Sequence, residues 1–210
     1  MSTGEILKQL AVIIEKQQIL SVQQQILFAA LTCEKMYPTY EAFVKENKWG
    51  DEKLLQLILV SLYEVVHTEK IDQEELQSQK KDIDTIIPDT GDFPYSITSY
   101  AIDTCFAFYD TLELLSTLDI QSLSNVSTHS INMIDMFVSE VLNLDSTDLL
   151  SEKKILANNY MVAEMARQLT LITELSAIQS IDIAQIQRLR RINESYLTFD
   201  ISLIKKRNNP

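Results

Sequence analysis

The chain has 210 residues, a formal net charge of −12 and only three glycines. A negative charge of this size repels nucleic acid and anionic membranes and attracts basic proteins, so we expect neither nucleic acid nor a membrane as a partner. Sheet-rich and nucleotide-binding folds need glycine in their turns and loops, whereas 46% hydrophobic residues suffice for the core of a helical protein. The composition therefore predicts an all-α fold.

The sequence also indicates the cellular compartment. Its N-terminus lacks the basic start and the apolar stretch of a signal peptide, and no uninterrupted apolar run approaches the ~20 residues of a membrane span. Cys33 and Cys105 lie within apolar helical patterns, where buried reduced thiols are expected rather than a disulfide or a metal site. We therefore expect a cytoplasmic protein.

Apolar residues recur at helical spacing through the first half of the chain and predict five helices before residue 85. Ser21, Asp51 and Asp72 stand at positions suited to helix N-caps. Pro38 is expected to end the second helix and to open a short third one, which stops near Trp49. The fourth helix is apolar on more than one side, which predicts a central position. The predicted helices cover residues 5–18, 22–37, 38–48, 52–67 and 73–84.

The stretch 86–94 contains two prolines and a glycine and is the longest cluster of helix breakers in the chain. It predicts a loop and is the best candidate for a boundary between two halves. Beyond it, a tail at 196–203 alternates in polarity and favours an extended conformation. Four helices are predicted between the loop and this tail, at residues 96–117, 121–143, 151–179 and 182–195.

We therefore predict a helical bundle of eight or nine helices with short loops. The simplest organisation is a single helical domain over residues 1–210. The alternative is two packed halves, 1–85 and 95–200, joined by the 86–94 loop.

The charge is distributed unevenly along the chain. No lysine or arginine occurs between Lys81 and Lys153, whereas this base-free segment, residues 82–152, contains thirteen Asp and Glu residues. Ordinary helix surfaces mix the two signs so that side chains four residues apart form pairs, and this segment offers no such basic partner. We infer that the carboxylates contact a basic protein. Those assigned to the contact are Asp82, Asp84, Asp89, Asp92, Asp103, Asp110, Glu113, Asp145, Asp148 and Glu152.

Three kinds of pattern bear on enzymatic chemistry. Glu64 and His67 have the Glu-x-x-His spacing of a bundle metal site, but the chain has one other histidine and no second copy of the motif. The run from Asp82 to Asp92 lacks the glycine-centred register and the terminal glutamate of a calcium-binding EF-hand. Nucleophile elbows and phosphate-binding or dinucleotide-binding glycine patterns are absent from the sequence. We predict no catalytic residue, metal or cofactor, and keep a carboxylate-based, metal-dependent hydrolase as an alternative.

Two parts of the sequence resemble a known family. Residues 33–43, followed by 49–51, are similar to the Cys-Glu-Arg-Met-x-Pro-x-Tyr-x-x-Phe string and the aromatic-Gly-Asp of the YjaG-like bacterial family, a group of unknown function. Residues 87–93 and 101–105 are similar to its Pro-x-x-x-Asp-Phe and Ala-Ile-Asp-Ala-Cys strings. The resemblance implies an all-helical cytoplasmic fold and implies no reaction. This chain departs from the family at Lys35, which replaces an arginine, and in its base-free segment, so we interpret it as a member with an electrostatic specialisation.

These observations favour a non-enzymatic protein that binds a basic protein. The most specific version is an immunity protein that neutralises a basic, nuclease-type bacterial toxin, since nuclease domains are often cationic in order to bind phosphate backbones. The alternative is a housekeeping helical protein whose acidic surface serves solubility. A homodimer is compatible with either interpretation.

Overall fold

The computed structural model describes residues 4–145, 150–198 and 200–203. Within these ranges the chain forms nine α-helices and one short 3-10 helix, Ile201–Leu203, and no strand, so the prediction of an all-α bundle is confirmed. None of the described helices combines the length and the apolar character needed to cross a membrane. The helices are α1 (Glu5–Gln17), α2 (Val22–Asn47), α3 (Glu52–Thr68), α4 (Gln73–Asp84), α5 (Ser96–Thr117), α6 (Ile120–Val141), α7 (Ser151–Leu156), α8 (Asn159–Ser176) and α9 (Ile183–Ser195).

The longest helix, α2, is the centre of the bundle. It packs against α3, α5, α6, α8 and α9, while α5 also packs against α4 and α6. Every residue from Ile26 to Cys33 is buried, so this part of α2 is covered on all sides. One hydrophobic core consequently contains residues from both sides of the 86–94 loop.

Two predictions about the first helices are wrong. α2 continues through Pro38 to Asn47 instead of ending there. Proline removes one backbone hydrogen bond from a helix, but Tyr40 and Phe43 beyond it are fully buried and hold the chain in the core. The helix expected to be central, α3, packs against α2 and α4 and leaves Leu57 and Val60 more than half exposed.

Two later predictions also differ from the structure. The helix expected over 151–179 is divided into α7 and α8, because the Asn158 side chain accepts a hydrogen bond from the Tyr160 N–H at 3.0 Å and caps a new helix. The tail expected to be extended contains the 3-10 turn, in which the Asp200 side chain accepts from the Ser202 N–H at 2.9 Å. Both differences arise from local side-chain hydrogen bonds, which apolar periodicity does not reveal.

An ion pair lies inside the bundle between Glu164 and Arg167 of α8. The fully buried Arg167 donates to the Glu164 carboxylate through Nε at 2.7 Å and Nη2 at 2.6 Å, and through Nη1 to Asn193 of α9 at 3.0 Å. Ser130 of α6 donates to the same carboxylate at 2.6 Å. Burial disfavours the charged form of Glu164, but the Arg167 charge and these hydrogen bonds outweigh it and lower the pKa. The network joins α6, α8 and α9.

Candidate functional site

A cleft of about 730 Å³ opens between the start of α5, the end of α6 and the loop that precedes α5. Its lining residues fall between Thr90 and Leu144, so the whole cleft is built from the base-free segment. Among the residues that the structure describes, Glu140 is the one charged side chain of this lining. The charge that the cleft presents is therefore negative.

Two neutral hydroxyl groups hold the partly buried Glu140. Ser96 Oγ donates to Glu140 Oε1 and Tyr100 Oη donates to Glu140 Oε2, each at 2.8 Å. Because α6 ends at Val141, this carboxylate lies in the last helical turn, where the terminal carbonyl groups disfavour an anion. The start of α5 is the positive end of that helix dipole. Together with the two hydroxyls, it offsets the unfavourable interaction of the carboxylate with the carbonyl groups at the end of α6. Among the described residues Glu140 forms no ion pair.

Aromatic contacts fix the loop that forms one wall of the cleft. The centroid of the Phe93 ring lies 5.3 Å from that of Phe43 and 5.2 Å from that of Trp49. Tyr40 Oη donates to the Ile86 carbonyl oxygen at 3.0 Å and ties the start of the loop to α2. These contacts bring together the two sequence stretches that resemble the YjaG-like family.

Gly50 allows the corner between α2 and α3 to approach this aromatic cluster. Its φ of 95° lies in the region that favours glycine, and a Cβ atom at this position would lie 2.5 Å from Tyr40 Oη. The same hydroxyl accepts a hydrogen bond from the Asp51 N–H at 3.3 Å, and the Asp51 side chain caps α3. The residues of this corner, which belong to the stretches that resemble the YjaG-like family, thus position the loop that lines the cleft.

A smaller groove of about 320 Å³ lies beside the cleft between α5 and α6. It shares Ser99 and Met136 with the cleft, and its lining adds two carboxylates, Asp103 and Asp135. Burial raises the pKa of Asp135, a hydrogen bond from Ser139 Oγ opposes this rise, and the charge of Glu152 adds to it. The groove thus extends the acidic surface along both helices.

His129 of α6 lies between two aspartates of α5. Its Nδ1 is 3.3 Å from Asp103 Oδ1 and its Nε2 is 3.0 Å from Asp110 Oδ2, while the half-exposed Phe106 ring stacks on the imidazole. Burial would lower the pKa of His129, but the hydrogen bonds and charges of the two aspartates outweigh it and raise the pKa to about 9. The imidazolium therefore offsets one of the two negative charges.

Three of the carboxylates assigned to the partner contact lie next or nearly next in the chain to residues that line the cleft, although they do not line it themselves. Asp89 and Asp92 flank Thr90, which lines the cleft, and Asp145 follows the lining residue Leu144. All three are exposed. They come from two separate elements, the 86–94 loop and the segment after α6, which meet at this cleft.

Three other assigned carboxylates have cationic partners within the protein. Asp103 and Asp110 share His129, and Glu113 Oε2 pairs with Lys80 Nζ of α4 at 2.8 Å. Lys80 lies just before the base-free segment and reaches α5 across the α4–α5 contact. These carboxylates contribute less net negative charge to the surface than the sequence alone implies.

The remaining assigned carboxylates do not extend the cleft in the described part of the chain. Asp82 and Asp84 are exposed at the end of α4 and are absent from its lining. Glu152 Oε1 accepts a hydrogen bond from the Ile6 N–H at 3.0 Å, at the start of α1. Asp148 lies outside the described residues.

Sequence reasoning did not single out Glu140, Ser96 or Tyr100. One signal was present, because an acidic residue in the last turn of a predicted helix opposes the helix dipole and needs compensation. A second signal was the short connection between the helices 96–117 and 121–143, which predicts antiparallel neighbours and places the start of one beside the end of the other. Only the structure shows the hydroxyl contacts that result.

The residues considered for enzymatic chemistry do not line the cleft or the groove. Cys33 and Cys105 are free and buried, and burial raises the pKa of Cys33 to about 12 and that of Cys105 above its ordinary range. Glu64 and His67 are exposed on α3. In the part of the chain that the structure describes, no group of three or more His, Cys, Asp and Glu side chains is placed to hold a metal ion.

Comparison with known proteins identifies relatives that match most of the chain. The chain is 27% identical over 168 residues to the "Uncharacterized protein YjaG" of Salmonella typhimurium and 26% identical over 170 residues to that of Escherichia coli. Each match covers 80% of this chain and 83% of the relative. An "Uncharacterized protein" of Haemophilus influenzae is 26% identical over 169 residues, which cover 80% of this chain and 84% of that protein.

A solved structure shares the fold. The crystal structure of a DUF416 family protein from Shewanella baltica superposes with a TM-score of 0.77 at 20% sequence identity, and the match covers 86% of this chain and 92% of that one. The family described as "Protein of unknown function (DUF416)" matches residues 13–196. Together with the YjaG relatives, this match confirms the resemblance inferred from the sequence, and the chain belongs to the DUF416 family.

Proposed function

We propose that this protein is a non-enzymatic binding protein whose acidic cleft receives part of a basic protein. One observation carries the proposal: the cleft is built entirely from the base-free segment, and its one charged lining group among the described residues is Glu140. The exposed Asp89, Asp92 and Asp145 lie beside it in the chain. Complementary charge of this kind gives fast, salt-sensitive association with a basic partner.

The most specific form of the proposal is an immunity protein that neutralises a basic, nuclease-type toxin. A nuclease surface that binds phosphate groups is cationic, so an acidic cleft can cover it. Bacterial relatives in the same family make a bacterial setting the appropriate one for the test.

The experiment is affinity capture of the tagged full-length chain from cells that produce it, eluted with a salt gradient and analysed by mass spectrometry. We expect one basic protein in a 1:1 complex, released at high salt because charge pairs dominate the contact. If the toxin interpretation is right, the purified partner degrades nucleic acid and one equivalent of this protein abolishes that activity.

Two outcomes would contradict the proposal at different levels. A stoichiometric basic partner without nuclease activity would refute the toxin interpretation and retain the binding function. Recovery of no stoichiometric basic partner would refute the binding function itself and favour the housekeeping interpretation, in which the acidic surface serves solubility.

A further inference from the structure

Glu140 differs from Asp110 and Glu113 of the base-free segment in the partners that it has. Glu113 pairs with Lys80, and Asp110 binds the imidazolium of His129. Glu140 accepts hydrogen bonds only from neutral hydroxyls and forms no ion pair among the described residues. No basic side chain among the described residues therefore neutralises this charge at the wall of the cleft.

The two hydroxyls fix this carboxylate in position without neutralising it. Ser96 and Tyr100 each donate one hydrogen bond, to different oxygens of Glu140, and each oxygen keeps further acceptor capacity. Tyr100 is 1% exposed, so its hydroxyl holds one orientation. A carboxylate that is fixed in advance binds a cation without losing side-chain freedom at that moment.

The walls of the cleft favour a particular cation. The lining includes the partly exposed aromatic residues Phe93 and Tyr95 and the partly exposed Leu144. A guanidinium stacks on aromatic rings and pairs with a carboxylate through a planar fork of N–H donors, whereas an ammonium is a compact, strongly hydrated charge. We propose that the cleft holds the guanidinium of an arginine side chain against Glu140. The inference rests on the proposed function and names the group by which the basic partner is recognised.

The test is an NMR titration of the full-length, nitrogen-15-labelled protein with the blocked peptide Gly-Gly-Arg-Gly-Gly. The matched control peptide carries citrulline, which has nearly the shape of arginine but no charge. We expect saturable shifts of the backbone amide signals of Ser96, Tyr100 and Glu140 with the arginine peptide. The citrulline peptide should bind at least about tenfold more weakly, because it lacks the charge-assisted hydrogen bonds.

A pair of variants distinguishes binding of the arginine side chain against Glu140, which we call the seat, from general electrostatic attraction. Glu140→Gln and Glu64→Gln remove the same charge, but Glu64 is exposed on α3 and does not line the cleft. We expect about tenfold weaker binding of the arginine peptide to Glu140→Gln and unchanged binding to Glu64→Gln. Equal affinity for the two peptides, or shifts scattered over the exposed carboxylates, would overturn the inference.

The proposed function and this inference can fail independently. An arginine peptide that binds at the cleft, with no basic protein recovered from cells, would refute the proposed partner and retain the seat. A basic protein that is recovered and binds Glu140→Gln as tightly as the wild type would refute the seat and retain the proposed function.

Discussion

Two glutamates of this protein each accept a hydrogen bond from a serine hydroxyl but differ in whether a basic side chain pairs with them. Glu164 of α8 is 4% exposed, accepts from the Ser130 hydroxyl and pairs with the fully buried Arg167. Glu140 at the end of α6 accepts from the Ser96 hydroxyl in the same way, but it opens onto the cleft and pairs with no basic side chain among the described residues. Both carboxylates have a serine contact, but only Glu164 has a basic side chain paired with it among the described residues.

The difference follows from the cost of removing a charge from water. An unpaired charge in the core is destabilising by several kcal/mol, so Glu164 needs a cation that belongs to the fold. A carboxylate at a cleft keeps part of its hydration and can remain unpaired. Glu164 therefore serves the structure, whereas Glu140 is available to an external cation.

The largest expected effect in this comparison is at the buried site. Glu164→Gln leaves Arg167 as an unpaired charge in the core and should lower the free energy of unfolding by about 3–5 kcal/mol. Urea denaturation followed by circular dichroism measures this change.

A double variant identifies the cause of that loss. Glu164→Leu combined with Arg167→Met removes both charges, and we expect it to be more stable than Glu164→Gln, since no unpaired buried charge remains. If the double variant is less stable than the single one, packing rather than the uncompensated charge accounts for the loss.

His129 represents a third arrangement, in which a titratable cation serves two carboxylates at the surface of the bundle. Because the folded protein raises the pKa of His129 from 6.5 to about 9, its stabilising effect is complete below about pH 6.5 and is lost as the pH rises to about 9. The His129 side chain is 20% exposed, so water screens part of its interaction with the aspartates. We expect the free energy of unfolding to fall by about 2 kcal/mol over this range.

His129→Asn is the control for this pH dependence. Urea denaturation at several pH values should show a decline for the wild type and a much flatter profile for the variant. Parallel profiles would mean that His129 is not the group responsible, and that Asp103 and Asp110 lack a titrating partner in solution.

The aromatic cluster connects the stable core to the cleft. Phe93 contacts Phe43 and Trp49 and also lines the cleft, so Phe93→Ala should lower the free energy of unfolding by about 2 kcal/mol. It should also weaken binding of the arginine peptide, because the wall formed by the 86–94 loop loses its anchor. Loss of stability with unchanged peptide affinity would show that the loop is not required for the seat.

Substitution of the cleft carboxylate should affect stability least. Glu140→Gln is the same substitution as Glu164→Gln, but it should change the free energy of unfolding by less than about 1 kcal/mol, since Ser96 and Tyr100 can bond to an amide. Glu64→Gln on the exposed face of α3 provides the baseline for loss of one surface charge. Equal, large losses at Glu140 and Glu164 would remove the distinction between a binding carboxylate and a structural one.

Much of the fold was predictable because it depends on local patterns. N-cap residues such as Ser21, Asp51 and Asp72 marked the starts of α2, α3 and α4 correctly. Pro38 was misinterpreted because burial of the flanking residues outweighs the hydrogen bond that proline removes. The break at Asn158 was missed because one capping hydrogen bond divides an otherwise continuous apolar pattern.

The sequence shows where basic residues are missing but not how the acidic residues are arranged in space. The cleft is lined by residues of the segment 82–152, and among the described residues Glu140 is the one charged member of that lining. Sequence could not show that His129 and Lys80 compensate Asp103, Asp110 and Glu113, because these pairs join different helices. For the same reason, the hydroxyls that hold Glu140 could be identified only from the structure.

Binding of a basic protein in the acidic cleft can be tested by comparing captures by the wild type, Glu140→Gln and Glu64→Gln in one salt gradient. We predict that the same basic protein is retained by all three and elutes at distinctly lower salt from Glu140→Gln than from the other two. Recovery of no such protein would refute the binding function, and identical elution from Glu140→Gln and Glu64→Gln would refute the role of Glu140 in it.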